Sequence, residues 1–265
     1  MKKIIFGLAF LAYGFAANAQ GFNIGMGGGI YSTWLVNKNV SDQGDFLDFA
    51  VTFGGQIGVN GSYYFSDKMG VGFGFFFTGH NQKYTGDLGP EASYEAKTKL
   101  RYLDVPIMIR FGGGKGGAYF EMGPQFGFLM SAKEQIEFTP SEPTIEYKDE
   151  NVKDNLSGTN IAAVIGFGVD IDASESISVT TGLRLGYGFT DVTKKMTETE
   201  FESRAAMDEL TGSHTLSFAS SGAHIDDDGN FKYKSTSRAF GGLFLSVNYK
   251  IPTGGSKGTP VPETK

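Results

Sequence analysis

Large apolar residues recur at every second position over long stretches of this chain. Between 102 and 111, Leu103, Val105, Ile107, Ile109 and Phe111 share one parity, and Tyr102, Asp104, Pro106, Met108 and Arg110 the other. Further on, Ile161, Ala163, Ile165, Phe167, Val169 and Ile171 alternate with Asn160, Ala162, Gly166, Gly168 and Asp170. Ile177, Val179, Leu183, Leu185, Tyr187 and Phe189 oppose Ser178, Thr180, Gly182, Arg184, Gly186 and Gly188, and Val71, Phe73, Phe75 and Phe77 oppose Gly72, Gly74 and Thr78. A period of two is that of a β-strand, whose successive side chains point to opposite faces. The theme predicts eight strands, near 22–34, 50–65, 70–84, 97–111, 117–131, 158–171, 176–190 and 238–251. Each exceeds the roughly 9–11 residues that a tilted strand needs to cross a bilayer.

The two faces differ in kind. One is bulky and apolar, rich in phenylalanine; the other is mostly glycine and small residues with a few charges. The second makes a poor solvated exterior but suits the cramped interior of a narrow barrel, which leaves lipid as the partner of the first. The alternative, a soluble β-sandwich, would bury both apolar faces against each other.

The connections bear on the choice. Short turns are predicted at Ser66–Met69, Gly112–Gly116 and Ala173–Glu175, and long connections near 35–49, 85–96, 132–157 and 191–237. Long and short alternate strictly, as in outer-membrane barrels with short periplasmic turns and long external loops. The fold expected is therefore all-β, an eight-stranded antiparallel transmembrane up-and-down β-barrel with both termini in the periplasm. Trp34, Tyr84, Tyr102, Tyr187 and Phe189 fall at the outer ends of their strands, and Tyr63, Phe65, Phe111, Tyr119, Phe120 and Tyr249 at the inner ends. Two aromatic girdles at the membrane interfaces would look like this, with Trp34, Tyr63, Tyr84, Tyr102, Phe111, Tyr187 and Tyr249 as interfacial residues.

The ends add processing and address. Lys2 and Lys3 precede the apolar run IIFGLAFLAYGFA, and Ala17-Asn18-Ala19 supplies small residues for cleavage before Gln20. Residues 1–19 read as a signal peptide, too short for a spanning helix of about 20 apolar residues. The barrel then occupies 20–252, and the Gly/Pro-rich stretch 253–265 reads as a disordered periplasmic tail. The formal charge is −6 and the pI about 5.2, which argues against nucleic acid. Absence of cysteine excludes disulfides, thiol nucleophiles and cysteine metal sites.

Parity places Gln56, Asn60, Asp104, Arg110, Glu121, Gln125, Asp170, Arg184, Asn248 and Lys250 inside. Charges in so narrow a lumen must pair, so Asp104, Arg110, Glu121, Asp170 and Arg184 are expected to form a structural polar network rather than a solute path. His80, His214 and His224 are read at or beyond the outer rim, where a rim enzyme would need them, yet no serine sits in a nucleophile elbow. No catalytic, cofactor or metal constellation is expected. Thr193–Gly212 has helix-forming residues, and Asp226–Asn230 is an acidic turn, more in keeping with a solvated Asp-Gly-Asn turn than with a calcium loop. Acidic residues Glu142, Glu146, Asp149 and Glu150 fall in the third external loop.

Four segments resemble the small outer-membrane β-barrel family of the Bacteroidetes, including its PorT-like branch: YLDVPIMIRF (Tyr102–Phe111), GPQFGFLMSAK (Gly123–Lys133), LRLGYGFTDV (Leu183–Val192) and LFLSVNYKI (Leu243–Ile251). The resemblance covers most of the chain after the leader and implies an outer-membrane barrel but no reaction. Its PorT-like branch implies, by analogy of fold, a link to protein export across the outer membrane. Gly242, Leu245, Val247 and Tyr249 resemble the C-terminal signal read by the barrel-insertion machinery, although the chain continues past Tyr249. Three roles are compatible with this reading: structural or surface recognition through the external loops, an accessory role in secretion or envelope assembly, and a rim enzyme. The partners expected are outer-membrane lipid, the insertion machinery and an extracellular or periplasmic protein.

Overall fold

In the computed structural model the described residues are 21–41, 48–89, 92–114, 116–139, 145–216, 221–226 and 228–251. The leader 1–19, the tail 253–265, Glu142 and Asp227 lie outside them. In chain order the strands are β1 (Gly21–Asn37), β2 (Asp48–Ala50), β3 (Phe53–Tyr64), β4 (Met69–Gly89), β5 (Ala92–Gly113), β6 (Gly116–Thr139), β7 (Ile145–Asn151), β8 (Thr159–Asp172), β9 (Ile177–Gly188), β10 (Ala223–Ile225), β11 (Phe231–Tyr233) and β12 (Thr236–Ile251); a single helical turn (Lys38–Ser41) follows β1, and the longer helix α1 (Glu198–Thr211) follows β9.

Eight of these strands close a ring. β1 pairs with β3, β3 with β4, and so on through β5, β6, β8, β9 and β12, which returns to β1; every pairing is antiparallel. Closure leaves no unpaired edge, which a sheet in lipid cannot tolerate. The apolar parity faces outward: Ile57, Phe77, Phe167, Leu185 and Leu243 are all exposed, while Gly58, Phe76, Gly166 and Phe244 on the opposite parity face the lumen. The tightest of the short turns, between β5 and β6, is built on Gly112, Gly113, Gly116 and Gly117 at φ of 84°, 77°, 81° and 90°. Only glycine adopts that backbone at little cost.

The structure departs from the expected boundaries at the long-connection end. Residues 85–96 and 132–157 are not loops throughout: β4 runs to Gly89, β5 starts at Ala92, and β6 reaches Thr139 before pairing with β7. Past the lipid-facing belt the polarity of the strands inverts. Lys83, Glu95, Lys97, Lys99 and Gln135 face out, and Tyr84, Ala96, Leu100 and Ile136 are buried within. This is the pattern of a sheet in water over an apolar core. Leu35, Leu100, Tyr102, Leu129, Ala132, Val152, Leu156 and Val192 form one such core, and Val40, Tyr84, Ala96 and Ile136 a second, with Phe49, Tyr94, Phe138 and Tyr147 against it. Together they close the lumen at this end.

Two of the expected interfacial aromatics are therefore misplaced by the sequence reading. Tyr84 and Tyr102 are 0% and 1% exposed and lie in these cores, because their parity is the inward one. Tyr84 donates its hydroxyl to the Leu35 carbonyl at 3.2 Å. Trp34, Tyr63, Phe111, Tyr187 and Tyr249 share the outward parity with exposed Ile30, Val59, Ile109, Leu185 and Val247.

Candidate functional site

Side chains fill the lumen in layers. At the short-turn end a cavity of ≈420 Å³ opens, lined by Tyr64, Arg110, Asp170, Asp172, Asn248 and Lys250 among others. Lys250 Nζ lies 2.7 Å from Asp172 across its rim. Next comes a charged cluster supplied by four strands. Arg110 on β5 faces Glu121 directly across the β5–β6 ladder, with Nε 3.2 Å from the carboxylate. Its Nη2 lies 3.5 Å from Asp170 on β8, and its Nη1 donates to the Tyr64 hydroxyl at 3.0 Å. Arg184 on β9 donates from Nε to the other oxygen of Glu121 at 2.7 Å, and Thr180 donates to Asp170 at 2.5 Å. Both guanidinium groups also sit over aromatic rings, Arg110 at 4.0 Å from Tyr119 and Arg184 at 3.9 Å from Phe244. A Cβ on Gly168 or Gly182 would come within 2.8 or 2.7 Å of the Tyr119 hydroxyl, so these two glycines make the room for that ring.

Above this cluster the lumen is packed apolar. Phe76 meets Phe244 edge-on at 5.8 Å, Tyr31 meets Phe240 at 6.1 Å, and Met108, Ala162 and Val164 fill between. Beyond lies a second polar layer. His80 Nε2 is 3.0 Å from Asp104 Oδ2 and its Nδ1 is 3.1 Å from Thr33 Oγ1. Arg238 Nη2 is 3.7 Å from Asp104 Oδ1, and the guanidinium lies 4.8 Å from the Tyr102 ring and 5.2 Å from Phe240. Arg238 is fully buried, and its guanidinium nitrogens make no hydrogen bond among the described residues.

Of the five lumen residues singled out in the sequence, the structure brings Arg110, Glu121, Asp170 and Arg184 together and sets Asp104 in the separate upper layer. Sequence reasoning missed the partners of Asp104. His80 was read at the rim but is 1% exposed inside the barrel. Its parity, shared with Gly72, Gly74 and Thr78, is the signal that would have placed it; Arg238 shares parity with Phe240 and Phe244 in the same way.

A hydroxyl, an imidazole and a carboxylate in line are the parts of a proton relay. Here Thr33, His80 and Asp104 are each 1% exposed, so a substrate has no route to the hydroxyl. The arrangement instead gives both nitrogens of buried His80 and one oxygen of Asp104 a hydrogen-bond partner. Its expected consequence is electrical: the folded chain in a planar bilayer carries no steady ion current, and Arg184→Leu does not create one. A porin-like stepwise conductance from either protein would refute a filled lumen.

The loop end carries its own polar chemistry. Thr197 caps α1 by accepting from the Glu200 backbone N–H, while the Glu200 carboxylate accepts from the Thr197 N–H at 2.9 Å; Gly212 closes the helix at φ 69°. Arg204 bonds Asn155, and Asp208 accepts from Thr215 N at 2.7 Å. His214 stacks on Tyr147 at 5.3 Å, and burial there holds its imidazole below the usual histidine range. Tyr233 donates to Asp191 at 2.6 Å, and burial, reinforced by that carboxylate, pushes its phenol well up. His224 sits on the short β10–β11 hairpin. In the acidic turn, Asp226 Oδ1 already accepts from Asn230 N–H at 2.7 Å and Oδ2 is 3.4 Å from Lys232, an arrangement that favours a self-closed turn over a cation. Among the described residues no group of three or more acidic or histidine side chains has metal-ligand geometry.

Comparison with known proteins returns a family model described as outer membrane protein beta-barrel domain, matching residues 17–194. None of the curated proteins matches the sequence. Among solved structures, the outer membrane protein OprG from Pseudomonas aeruginosa aligns at 14% identity and TM-score 0.36, over 88% of this chain and 97% of that one. Neisserial surface protein A aligns at 10% identity and TM-score 0.35, over 87% and 97%. The attachment invasion locus protein Ail of Yersinia pestis aligns at 8% identity and TM-score 0.31, over 86% and 98%.

Proposed function

Since the chain belongs to the outer membrane protein beta-barrel domain family, we propose that its barrel is a rigid mount for a recognition surface at the long-connection end. In this reading that end faces the exterior, both termini lie in the periplasm, and residues 1–19 are removed on export. The observation that carries it is α1. This helix has no buried residue, yet it is fully capped at both ends. It exposes Met207 at 57% and Leu210 at 81% beside Glu198, Glu202, Asp208 and Glu209. The caps hold the helix together with Phe201, which packs on Phe231 at 5.8 Å, and long elements on a rigid scaffold commonly carry binding. The inaccessibility of Thr33 and His80 favours a non-enzymatic role.

A second reading rests on the cavity at the other end. The PorT-like resemblance of Tyr102–Phe111 and Gly123–Lys133 points to the secretion apparatus, and the polar cavity edged by Asp172 and Lys250 offers a periplasmic partner a place to engage.

Because the chain lacks cysteine, orientation can be read with single substitutions. Ser203→Cys on α1 should react with a membrane-impermeant maleimide on intact cells, and Ser174→Cys on the β8–β9 turn should not. The reverse labelling would sink the orientation. Replacing 197–212 by a flexible linker should then abolish surface binding while secretion and the heat-modifiable band persist. A secretion defect with binding intact would favour the second reading.

A further inference from the structure

The outward faces of β4, β5 and β6 change character with height in register. Phe77, Leu103 and Phe128 belong to the apolar belt. Above them Arg101 stands between Gly79 and Ser131, Lys99 between Asn81 and Lys133, and Lys97 between Lys83 and Gln135. The next row is acidic, with Glu95 opposite Glu137 and Glu137 opposite Glu146. Like charges directly opposite each other on a sheet destabilise it, yet Lys99 faces Lys133 and Lys83 faces Lys97. Glu95 offsets Lys83 at 2.6 Å and Asp149 offsets Lys99 at 3.6 Å; Lys97 and Lys133 have no carboxylate within 4 Å among the described residues.

Beneath the cations the wall is indented. A groove of ≈280 Å³ runs over Gly55 and Gly79, between Phe77 and Met130, with Asn81 and Arg101 at its polar end. Arg101 is exposed and is steadied there by donating to Asn81 Oδ1 at 2.9 Å and to the Leu100 carbonyl at 3.0 Å. Lys153 Nζ reaches the Met130 carbonyl at 3.0 Å. An apolar slot that ends on a guanidinium fork, under a row of ammonium groups that carboxylates offset only in part, matches one ligand chemistry: an acyl chain joined to a phosphate.

We propose that this face holds a phosphate-bearing membrane lipid of the leaflet at the loop end, its chain in the Gly55–Gly79 groove and its phosphate on Arg101, Lys99 and Lys133. The height order fits: cations stand at the headgroup level, and carboxylates stand clear of it in water. Only the identity of that leaflet as the outer one rests on the orientation proposed above.

The test uses the full folded chain in nonionic detergent, titrated with diphosphorylated lipid A and read by native mass spectrometry, with phosphatidylcholine as the neutral control. Lipid A should be retained in preference to phosphatidylcholine. Each cation near an anionic lipid surface is worth about fivefold in affinity, so Lys99→Gln/Arg101→Gln/Lys133→Gln should weaken retention on the order of a hundredfold. Gly79→Leu fills the groove and leaves the charges; the atom nearest its added Cβ, at 3.0 Å, is the movable tip of Arg101, so folding should survive. It too should lose the lipid, and it decides the matter if the charge variant fails to give a heat-modifiable band. Equal retention of phosphatidylcholine, undiminished retention by the folded variants, or full displacement by inorganic phosphate would each overturn the proposal. None of these readouts depends on which way the barrel faces in a cell.

Discussion

Glu121→Leu should be the most damaging single substitution in the barrel. Glu121 is 2% exposed and its two oxygens serve Arg110 and Arg184 separately. Without it Arg184 has no carboxylate within 4 Å among the described residues, and Arg110 keeps only Asp170 at 3.5 Å. Removing one partner of a buried ion pair costs about 3–5 kcal/mol, because the remaining charge stays in the low-dielectric interior. Arg184→Leu should cost less, since Glu121 retains Arg110. Glu121→Leu/Arg184→Leu should recover part of the loss, as expected for residues that share one network. Guanidinium unfolding in micelles, followed through the single tryptophan, Trp34, ranks the three. An unfolding midpoint for Glu121→Leu equal to the parent's would show that the cluster contributes nothing to stability.

The second large effect is expected at the loop end and should be separable from the first. Leu100 is 0% exposed in the core that closes the lumen, together with Leu35, Leu129 and Val192. Truncating a fully buried leucine to alanine costs about 2–5 kcal/mol, depending on how far the site collapses. Leu100→Ala should therefore expose 145–157 and 191–216 to protease, while the lipid-embedded ring keeps its heat-modifiable band. Parts of one protein open at different free energies when different contacts hold them. A band lost in step with protease sensitivity would mean that the two regions unfold as one unit. Unchanged resistance would mean that Leu100 does not hold the cap.

The ring was legible in the sequence because lipid outside and a tight lumen inside impose opposite demands on alternate positions. Phe73, Phe75 and Phe77 against Gly72 and Gly74 state both demands within six residues. The upper ends of β4, β5 and β6, residues 85–89, 92–96 and 132–139, were not legible as strands, because water replaces lipid there and the same alternation changes sign. Glu95 and Lys133 on the outward parity read as loop when apolar outward residues are the criterion. Tyr84 and Tyr102 were assigned by height alone, as interfacial aromatics. Parity, which places Tyr102 with Asp104 and Arg110, was the stronger guide. The lower charge cluster followed from parity, because each member lies well inside a strand. The upper one did not, since His80 lay near a predicted boundary and Arg238 began a predicted strand. The lipid groove depends on register between strands that are remote in sequence, Gly55 beside Gly79 beside Arg101, and alternation within one strand carries no such information.

The distribution of lumen charges over the strands also bears on the order in which the barrel can be assembled. Arg110 and Glu121 sit opposite each other on one hairpin, β5–β6, and Asp170 and Arg184 lie on the next, β8–β9. Arg110 and Glu121 pair within their own hairpin, whereas Asp170 and Arg184, four residues apart in register, find Arg110 and Glu121 only when β8 docks on β6, and the four charges then balance. Asp104 is the exception. Its cation, Arg238, arrives on β12, the last strand and the one that zips to β1. A nascent barrel holds that carboxylate with only His80 beside it until the final strand docks, and the same docking event seals the ring and discharges the last uncompensated ion.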